Sequence, residues 1–363
     1  MSGTQKAGFW GAALAFAVIL VLGASRAHAQ KAPPPDPSTF NDVQFIVTPR
    51  LAIEQAYRLR TAVNRAAARS LARAKAGPET PAGTAPSPML FAGSGEESAS
   101  SDPAWTAWVD GTHSDIKDSN PVSGYDGPQN SVIAAVERQL SDNAVAGLLY
   151  NYSDSDVTNL FQPGGSETEA HGVGVYIGLF LTDTLVFDAA FLANGTDNSC
   201  RDATATARYD SDGWIASANL TGYYYFNNLR VSPGAGVSLT RVEDDAYIDS
   251  SGTGFTALNT RTGTANISTT LGYTIELDDN RSVEPFVTLE GEWEFQNSTT
   301  PSTAIASVPV SSLDWNLRAS AGIDVALPGD KYLTIQGDFG GLNDSQFRSY
   351  AINGKFSVPF NGP

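Results

Sequence analysis

The sequence predicts an all-β transmembrane barrel: a 12-stranded antiparallel outer-membrane barrel preceded by an amphipathic, cationic α-helix. Three observations support this prediction. An apolar segment typical of export stands near the start, no later apolar run is long enough for a transmembrane helix, and twelve strand-like segments are joined by connections that alternate in length. A chain without spanning helices crosses a membrane only as a closed barrel, because every backbone polar group must be hydrogen-bonded within the protein.

Residues 1–29 form the predicted signal peptide. Lys6 precedes an apolar run from Phe9 to Gly23, and Ala27-His28-Ala29 supplies small residues at the two positions that a signal peptidase reads. The run has about 15 residues against the ~20 that span the hydrocarbon core, so cleavage before Gln30 is favoured over a membrane anchor. We therefore expect a protein that is exported from the cytoplasm.

Four further segments follow the signal peptide. Residues 30–48 are Pro-rich and expected to be extended, and residues 49–76 are expected to form an amphipathic Ala/Arg helix with Pro49 at its first position. The Pro-, Gly- and Ser-rich residues 77–103 are expected to be a flexible linker. Residues 104–363 are expected to form the barrel.

The predicted helix is cationic on one side. Between Pro49 and Ala76 there are seven basic residues and one acid, a net charge of +6, whereas the chain from Ser101 onward carries twelve basic and thirty-three acidic residues, a net charge of −21. On a helical wheel, four arginines form one stripe and six apolar residues form another. The arginine stripe comprises Arg58, Arg65, Arg69 and Arg73. The apolar stripe comprises Ile53, Ala56, Leu59, Val63, Ala67 and Leu71.

Twelve segments from residue 104 onward have the period of two that is typical of strands. They lie near 104–111, 130–140, 144–154, 170–181, 185–194, 213–226, 229–241, 262–277, 282–295, 313–327, 331–340 and 347–360. In residues 229–239 and 265–277 every second side chain is predominantly apolar, so one face of each strand is expected to meet an apolar medium. The even number is the one that bacterial barrels require when both ends lie in the periplasm.

The connections between these segments alternate in length. The tight ones are Ser141–Asn143, Thr182–Thr184, Asn227–Asn228, Asp278–Asn280 and Pro328–Asp330. The long, polar ones are 112–129, 155–169, 195–212, 242–261 and 296–312, and the last connection, 341–346, is short. Short periplasmic turns and long extracellular loops are typical of outer-membrane barrels, whereas a soluble β-sandwich has no reason to alternate in this way.

A row of acidic side chains is expected to line the barrel lumen. Its members are Glu284, Glu290, Glu292 and Glu294 on one strand and Asp314 and Asp324 on the next. Opposite charges attract strongly in a partly dehydrated pore, so the cationic helix is expected to plug the lumen beside them. Its 28 residues, at ~1.5 Å per residue, give a length of ~42 Å, enough to cross the barrel. Alternatively, the arginines form a solvated face or bind anionic lipid or peptidoglycan at the periplasmic surface.

The sequence offers little catalytic chemistry. Outside the signal peptide, His113 and His171 are the histidines available for a Ser-His-Asp arrangement, and no nucleophile-elbow or metal-ligand spacing is present. The acidic stretches Ser153–Asp156 and Glu243–Asp245 suit Ca²⁺, but such clusters are more often solvated loops. Cys200 is the single cysteine and excludes an intramolecular disulfide. We therefore expect no enzyme, no cofactor, no metal and, for so acidic a chain, no nucleic-acid partner.

The order of signal peptide, Ala/Arg helix and twelve closing strands resembles the autotransporter family. The resemblance covers roughly residues 100–360 and rests on four segments: Trp108–Asp115, Asp126–Val132, Leu140–Gly147 and the last strand, Tyr350–Phe360. It implies a translocator domain in the Gram-negative outer membrane, in contact with outer-membrane lipid and assembled by the barrel-assembly machinery and periplasmic chaperones. The residues similar to the family's C-terminal assembly signal are Tyr350, Ile352, Phe356, Val358 and Phe360.

The chain departs from the family pattern in several respects. Residues 30–48 stand where family members usually carry a passenger of hundreds of residues, residues 77–103 separate helix and barrel, and Asn361–Pro363 extend past the terminal aromatic residue. Some members of the family cut themselves at an Asn-Asn pair inside the helix. This helix has Asn64 alone, so that cleavage is not expected.

Two hypotheses remain for the function. In the first, the barrel is an autotransporter-like translocator that displays its short N-terminal segment, with the helix in the lumen. In the second, it is a passenger-free, porin-like pore or a surface adhesin that acts through its long extracellular loops, with the helix in the periplasm. Extracellular exposure of residues 30–48 favours the first hypothesis, and periplasmic burial of these residues favours the second.

Overall fold

The computed structural model describes residues 41–76, 105–119, 124–160, 163–277, 281–301 and 315–360. Within the helix, the side chains from residue 48 to residue 72 are described. The predicted signal peptide, residues 30–40, the predicted linker, Asp314 and residues 361–363 lie outside the described part of the chain.

The described residues form one α-helix and sixteen strand segments. The helix is α1, Asn41–Ala76. The strands are β1 Trp105–Asp118, β2 Tyr125–Ser141, β3 Ala144–Asn159, β4 Gly164–Thr182, β5 Leu185–Asp202, β6 Thr206–Gly222, β7 Tyr224–Phe226, β8 Leu229–Asp244, β9 Tyr247–Ile248, β10 Gly254–Phe255, β11 Leu258–Tyr273, β12 Ile275–Leu277, β13 Arg281–Pro301, β14 Asn316–Leu327, β15 Lys331–Gly340 and β16 Phe347–Phe360.

The long strands close into one antiparallel barrel. Among the described residues β7 continues β6 and β12 continues β11, so the sheet has twelve barrel strands, while β9 and β10 form a separate hairpin between β8 and β11. Neighbours in the sheet follow chain order, and β1 pairs with β16 from Trp105↔Phe360 to Asp118↔Phe347. The predicted 12-stranded antiparallel barrel is therefore confirmed.

Tight turns join the strands at one end of the barrel. The strand ends that flank them are Ser141 and Ala144, Thr182 and Leu185, Phe226 and Leu229, and Leu327 and Lys331. Two of these turns contain a residue with left-handed backbone, because Asn227 and Asp330 both have φ of 55°, and Asn and Asp adopt this conformation more readily than most residues. These turns lie where the sequence predicts them, and the predicted turn at 278–280 lies outside the described residues.

At the opposite end the strands extend much further than the sequence predicts. The predicted loops 112–129, 155–169 and 195–212 are largely strand, and the connections shrink to 119–124, 160–163 and 203–205. Polar residues occupy the inner face there, as with the buried Ser153 and Ser155, so apolar alternation stops while backbone pairing continues. The wall of the barrel therefore rises beyond its apolar belt.

Alternate side chains of the strands face out of the barrel and into it. Leu148, Val173 and Ile352 are more than half exposed on the outer face, whereas Asn151 and Gln336 are buried on the inner face. An outward apolar belt and a polar interior are the arrangement by which a barrel meets lipid. The fold thus positions a polar interior in which functional groups can be placed.

Helix α1 begins earlier than the sequence predicts. It starts at Asn41 rather than at Pro49 and ends at Ala76, as expected. Pro49 has no N–H group, so it forgoes the hydrogen bond to the carbonyl group of Phe45, a loss that costs about 3 kcal/mol inside a helix. Packing offsets this cost, because most helix side chains from Leu51 onward are buried. Within the described residues, no helix is both long enough and apolar enough to cross a membrane.

Candidate functional site

Helix α1 packs against the inward faces of strands β1 to β6, β8 and β11. Leu59 and Val63 enter a buried cluster that also contains Trp108 of β1 and Ile215 of β6. The predicted apolar stripe is buried throughout, at Ile53, Ala56, Leu59, Val63, Ala67 and Leu71. This stripe is therefore the side of the helix that lies against the apolar part of the barrel wall.

The two ends of α1 lie at opposite ends of the barrel. Leu51, near the N-terminal end, packs with Ile116 and Val157, which stand close to the long-connection ends of β1 and β3. Leu71, near the C-terminal end, packs with Val145 and Phe180, which stand beside the tight turns. The helix therefore runs from the loop end of the barrel to its turn end.

Strand β4 approaches the helix very closely at Gly178. A Cβ atom added to this glycine would lie 2.5 Å from the Cβ atom of Ala67 and 3.0 Å from a side-chain carbon of Val145. Van der Waals repulsion excludes a 2.5 Å contact, so glycine is the residue that fits opposite this alanine. Small residues on both surfaces thus allow the helix backbone to lie against the wall.

Two arginines of α1 make buried ion pairs with β13 and β14. Arg60 Nη2 lies 2.5 Å from Glu290 Oε1, and Arg69 Nη2 lies 2.6 Å from Asp324 Oδ1. All four side chains are shielded from solvent, which strengthens the attraction and also raises the cost of leaving either partner alone.

A third buried ion pair has the opposite polarity. Arg318 of β14 donates from Nη2 to Glu54 Oε1 of the helix over 2.6 Å. The Arg318 Cζ atom lies 3.9 Å from the ring centroid of Tyr57, whose hydroxyl donates to Asp338 at 2.9 Å. The inward faces of β13 and β14, here called the charged wall, therefore bind the helix through both acidic and basic side chains.

The predicted arginine stripe meets the barrel in different ways along its length. Arg69 pairs with an acid, but Arg58 donates to the hydroxyl of Ser114 at 2.5 Å, and Arg65 donates to the amide oxygen of Gln336. The side chain of Arg73 lies outside the described residues. Most of the stripe's described contacts are therefore with neutral groups rather than with the predicted acidic row.

The predicted acidic row is also divided. Glu290 and Asp324 contact the helix, as above, whereas Glu284 pairs with Arg230 of β8 at 2.5 Å and so belongs to the wall itself. Glu292 and Glu294 are buried on the inward face of β13, and Asp314 lies outside the described residues.

Four cations of the interior were not among the predicted site residues: Arg60, Arg230, Arg318 and Lys355. Arg60 lies off the arginine stripe, so the helical wheel did not select it. Arg318 stands directly across from Glu290 in the register of β13 and β14, and Lys355 Nζ donates to the carbonyl oxygen of Ala62 over 2.5 Å. For Arg230, Arg318 and Lys355, the signal in the sequence was their position among the inward-facing residues of each strand.

The predicted assembly-signal residues share the outward side of β16. Tyr350, Ile352, Phe356 and Phe360 are exposed there, and Val358 is half-buried. Aromatic contacts link this strand to its neighbours, with ring centroids 4.9 Å apart for Phe339 and Tyr350 and 6.4 Å apart for Trp105 and Phe360. These residues therefore lie on the outer surface of the barrel, at or beside the seam between the last strand and the first.

The two histidines and the acidic loops take part in local contacts. His113 Nδ1 lies 2.7 Å from the amide oxygen of Asn130, and His171 Nδ1 lies 2.7 Å from the hydroxyl of Tyr150, so both histidines contact groups other than serine. Hydrogen bonds from the Ser251 hydroxyl and from nearby backbone amides hold the pKa of Asp249 below its ordinary value. Within the described residues, no three His, Cys, Asp or Glu side chains are grouped as metal ligands.

Comparison with protein families decides the assignment. The model of the autotransporter beta-domain matches residues 107–340 of this chain. The chain belongs to the autotransporter beta-domain family. No curated protein matches the sequence. As a member of this family the chain is a translocator barrel of the outer membrane, with its twelve strands as the membrane-spanning part.

Solved autotransporter domains have the same fold. The beta domain of the Bordetella autotransporter BrkA is 18% identical, with a TM-score of 0.58 over 71% of this chain and 100% of that chain. The translocator domain of NalP from Neisseria meningitidis is 11% identical, with a TM-score of 0.57 over 70% and 88%. The transport unit of AIDA-I from Escherichia coli is 11% identical, with a TM-score of 0.53 over 76% and 95%. At these identities the likeness is one of fold.

Proposed function

We propose that this autotransporter barrel carries its own short N-terminal segment, residues 30–40, to the outer surface, and that α1 then plugs the lumen. The observation that carries the proposal is the direction of α1, whose N-terminal end lies at the loop end of the barrel. The long loops of an outer-membrane barrel are extracellular. A segment attached at this end of the helix would therefore emerge outside the cell.

The dimensions and contacts of α1 suit a plug. Its 36 residues, at ~1.5 Å per residue, give a length of ~54 Å, which exceeds the ~30 Å thickness of the hydrocarbon core. Apolar packing holds the apolar stripe, and the Arg60–Glu290 and Arg69–Asp324 pairs tie the helix to β13 and β14. A hydrated ion would have to displace these contacts to pass, so the intact barrel should conduct poorly.

The route to the membrane completes the proposal. Residues 1–29 act as a cleaved signal peptide, and residues 77–103 act as the linker between the turn end of α1 and the start of β1. The outward residues of β16 serve as the signal for the barrel-assembly machinery, with periplasmic chaperones and outer-membrane lipid as the other partners. This function requires no catalytic group, no cofactor and no nucleic acid.

Single-channel conductance tests the plug. The mature chain from residue 30 onward is refolded into planar bilayers beside a variant that lacks residues 30–76. We expect a large, steady conductance from the deletion variant and brief or small events from the intact chain. A matched control lacks residues 30–40 alone, so it keeps α1 and should conduct like the intact chain. Equal conductance with and without the helix would refute the plug and favour a porin-like pore or an adhesin.

Surface labelling tests the displayed segment. An epitope is inserted after Pro37, and a second strain carries the same epitope after Ala85, in the linker that the proposal places on the periplasmic side. Antibody added to intact cells should label the first strain, whereas the second should be labelled only after the outer membrane is opened. If the epitope at Pro37 also needs an opened membrane, the N-terminal segment is periplasmic and the display proposal fails.

A further inference from the structure

A polar cavity lies beside α1. Its volume is about 90 Å³, and it is bounded by the helix and by strands from β6 to β14. Three arginines and one acid contribute to its lining: Arg65 and Arg69 of the helix, and Arg230 and Asp324 of the wall. The cavity is therefore lined by more cations than carboxylates.

The ion pairs around the cavity leave Arg65 without a carboxylate partner among the described residues. Arg69 pairs with Asp324 at 2.6 Å, and Arg230 pairs with Glu284, which stands outside the lining. The guanidinium of Arg65 instead donates to the neutral amide oxygen of Gln336, and its Cζ atom lies 5.2 Å from the ring centroid of Phe286.

A further carboxylate near this part of the helix is already engaged. Asp188 of β5 accepts hydrogen bonds from Asn64 at 2.6 Å and from Asn219 at 2.7 Å. Two amide groups thus stand around this acid, and it does not line the cavity. The positive charge of Arg65 is therefore not matched by an ion pair with Asp188.

The remaining lining is rich in hydrogen-bond donors. Hydroxyl groups come from Thr221, Ser232, Ser268 and Thr270. Guanidinium groups present donors in a fixed planar fork that fits an oxyanion, and such charge-assisted bonds are stronger than neutral ones.

We propose that this cavity binds a small inorganic anion, such as sulfate, held by the guanidinium of Arg65 together with that of Arg230 and the hydroxyl groups of the wall. Arg65 belongs to the helix and Arg230 to β8, so the anion bridges the two. It thereby fastens α1 to the wall at β8. The inference depends on α1 lying in the lumen, as in the proposed function.

Crystallography with a heavy anion tests the site. Crystals of the refolded mature chain are soaked with selenate, which scatters anomalously and has the shape of sulfate, and separately with bromide. We expect an anomalous peak in the cavity between Arg65 and Arg230. The variant Arg65→Gln should lower the occupancy at least fivefold, and Ser268→Ala should lower it by a smaller factor. Arg138→Gln, on the exposed outer side beside Trp105, is the matched control and should leave the peak unchanged.

The outcomes distinguish failure of the anion site from failure of the proposed function. An intact chain with water alone in the cavity in both soaks overturns the anion site while α1 remains inside the barrel. A peak that persists unchanged in both Arg65→Gln and Ser268→Ala marks an adventitious ion only and also overturns it. If Arg65→Gln does not refold, the soaks of the intact chain and of Ser268→Ala still show whether the anion binds in the cavity. Crystals with α1 outside the barrel would refute the proposed function together with this inference.

Discussion

The two sides of α1 meet the barrel through different chemistry. The side that faces the apolar wall presents aliphatic residues such as Leu59 and Val63, which pack into continuous clusters. Charged side chains of the helix, Arg60 and Arg69 among them, instead meet carboxylates of β13 and β14. A single lumen therefore offers the same helix an apolar wall and a charged wall.

Apolar packing and ion pairs contribute differently to the stability of the docked helix and to its orientation. Burial of apolar surface stabilises by roughly 25 cal/mol per Å² and does not depend strongly on which apolar atoms meet. A buried ion pair contributes little net free energy, because desolvation offsets the attraction, but removal of one partner is strongly destabilising. We infer that the apolar wall holds the helix in the lumen and that the charged wall fixes its rotation and register.

The largest effect is expected from a charge placed on the apolar side. Val63 is fully buried in its cluster, so Val63→Asp would leave a carboxylate without a cationic partner among apolar groups. The loss of apolar burial and the desolvation of the carboxylate together should exceed about 5 kcal/mol of docking free energy. The variant should show the open conductance of the chain that lacks residues 30–76 when both are measured in planar bilayers.

A conservative change at the same position provides the control. Val63→Ala removes two carbon atoms and should cost about 2 kcal/mol, which leaves the helix docked and the conductance low. Low conductance from Val63→Asp as well would mean that the apolar wall does not hold the helix.

A smaller effect is expected from the charged side when one partner of a pair is removed. Arg318 and Glu54 are both almost fully buried and lie 2.6 Å apart. Arg318→Gln leaves the carboxylate of Glu54 buried without its cation, which should destabilise the docked helix by about 3–5 kcal/mol. Heat-induced unfolding of the refolded protein in detergent, followed by the mobility shift on gels, measures the change.

The double variant distinguishes the loss of the ion pair from independent effects of the two side chains on stability. If the loss comes from an uncompensated charge, Glu54→Gln combined with Arg318→Gln should recover most of the stability that Arg318→Gln loses. An additive result, with the double variant less stable than either single one, would show that the two side chains act independently and would contradict the pair.

The apolar side of the helix could be predicted from sequence, whereas the ion pairs could not. Helical periodicity alone identifies the apolar stripe, because apolar side chains pack against any apolar wall and need no specific partner. The wheel gives the direction of an arginine but not the strand residue opposite, which depends on how helix and barrel align. Arg58 on the predicted stripe thus meets Ser114, whereas Arg60, which lies off the stripe, meets Glu290.

The barrel likewise has features that could be predicted from the sequence and features that could not. Its strand number and its tight turns follow from alternation and turn residues, and the structure confirms the strand number and the four turns within the described residues. The outer ends of the strands were predicted as loops because their inner faces carry serine and other polar groups, such as Ser155. The strands there continue the backbone hydrogen bonding of the closed sheet, so their pairing needs no local apolar pattern.

The smallest of the three effects is expected where the apolar wall approaches α1 most closely. Gly178→Ala would place a Cβ atom 2.5 Å from that of Ala67, and overpacking of this kind costs about 1–3 kcal/mol. Gly354→Ala adds the same atom where nothing lies within 4 Å and should leave heat-induced unfolding unchanged. Ala67→Gly costs about 1 kcal/mol in helix propensity, yet it should restore stability when combined with Gly178→Ala, because it removes the opposing Cβ atom. Purely additive losses would mean that the helix does not approach β4 at this point.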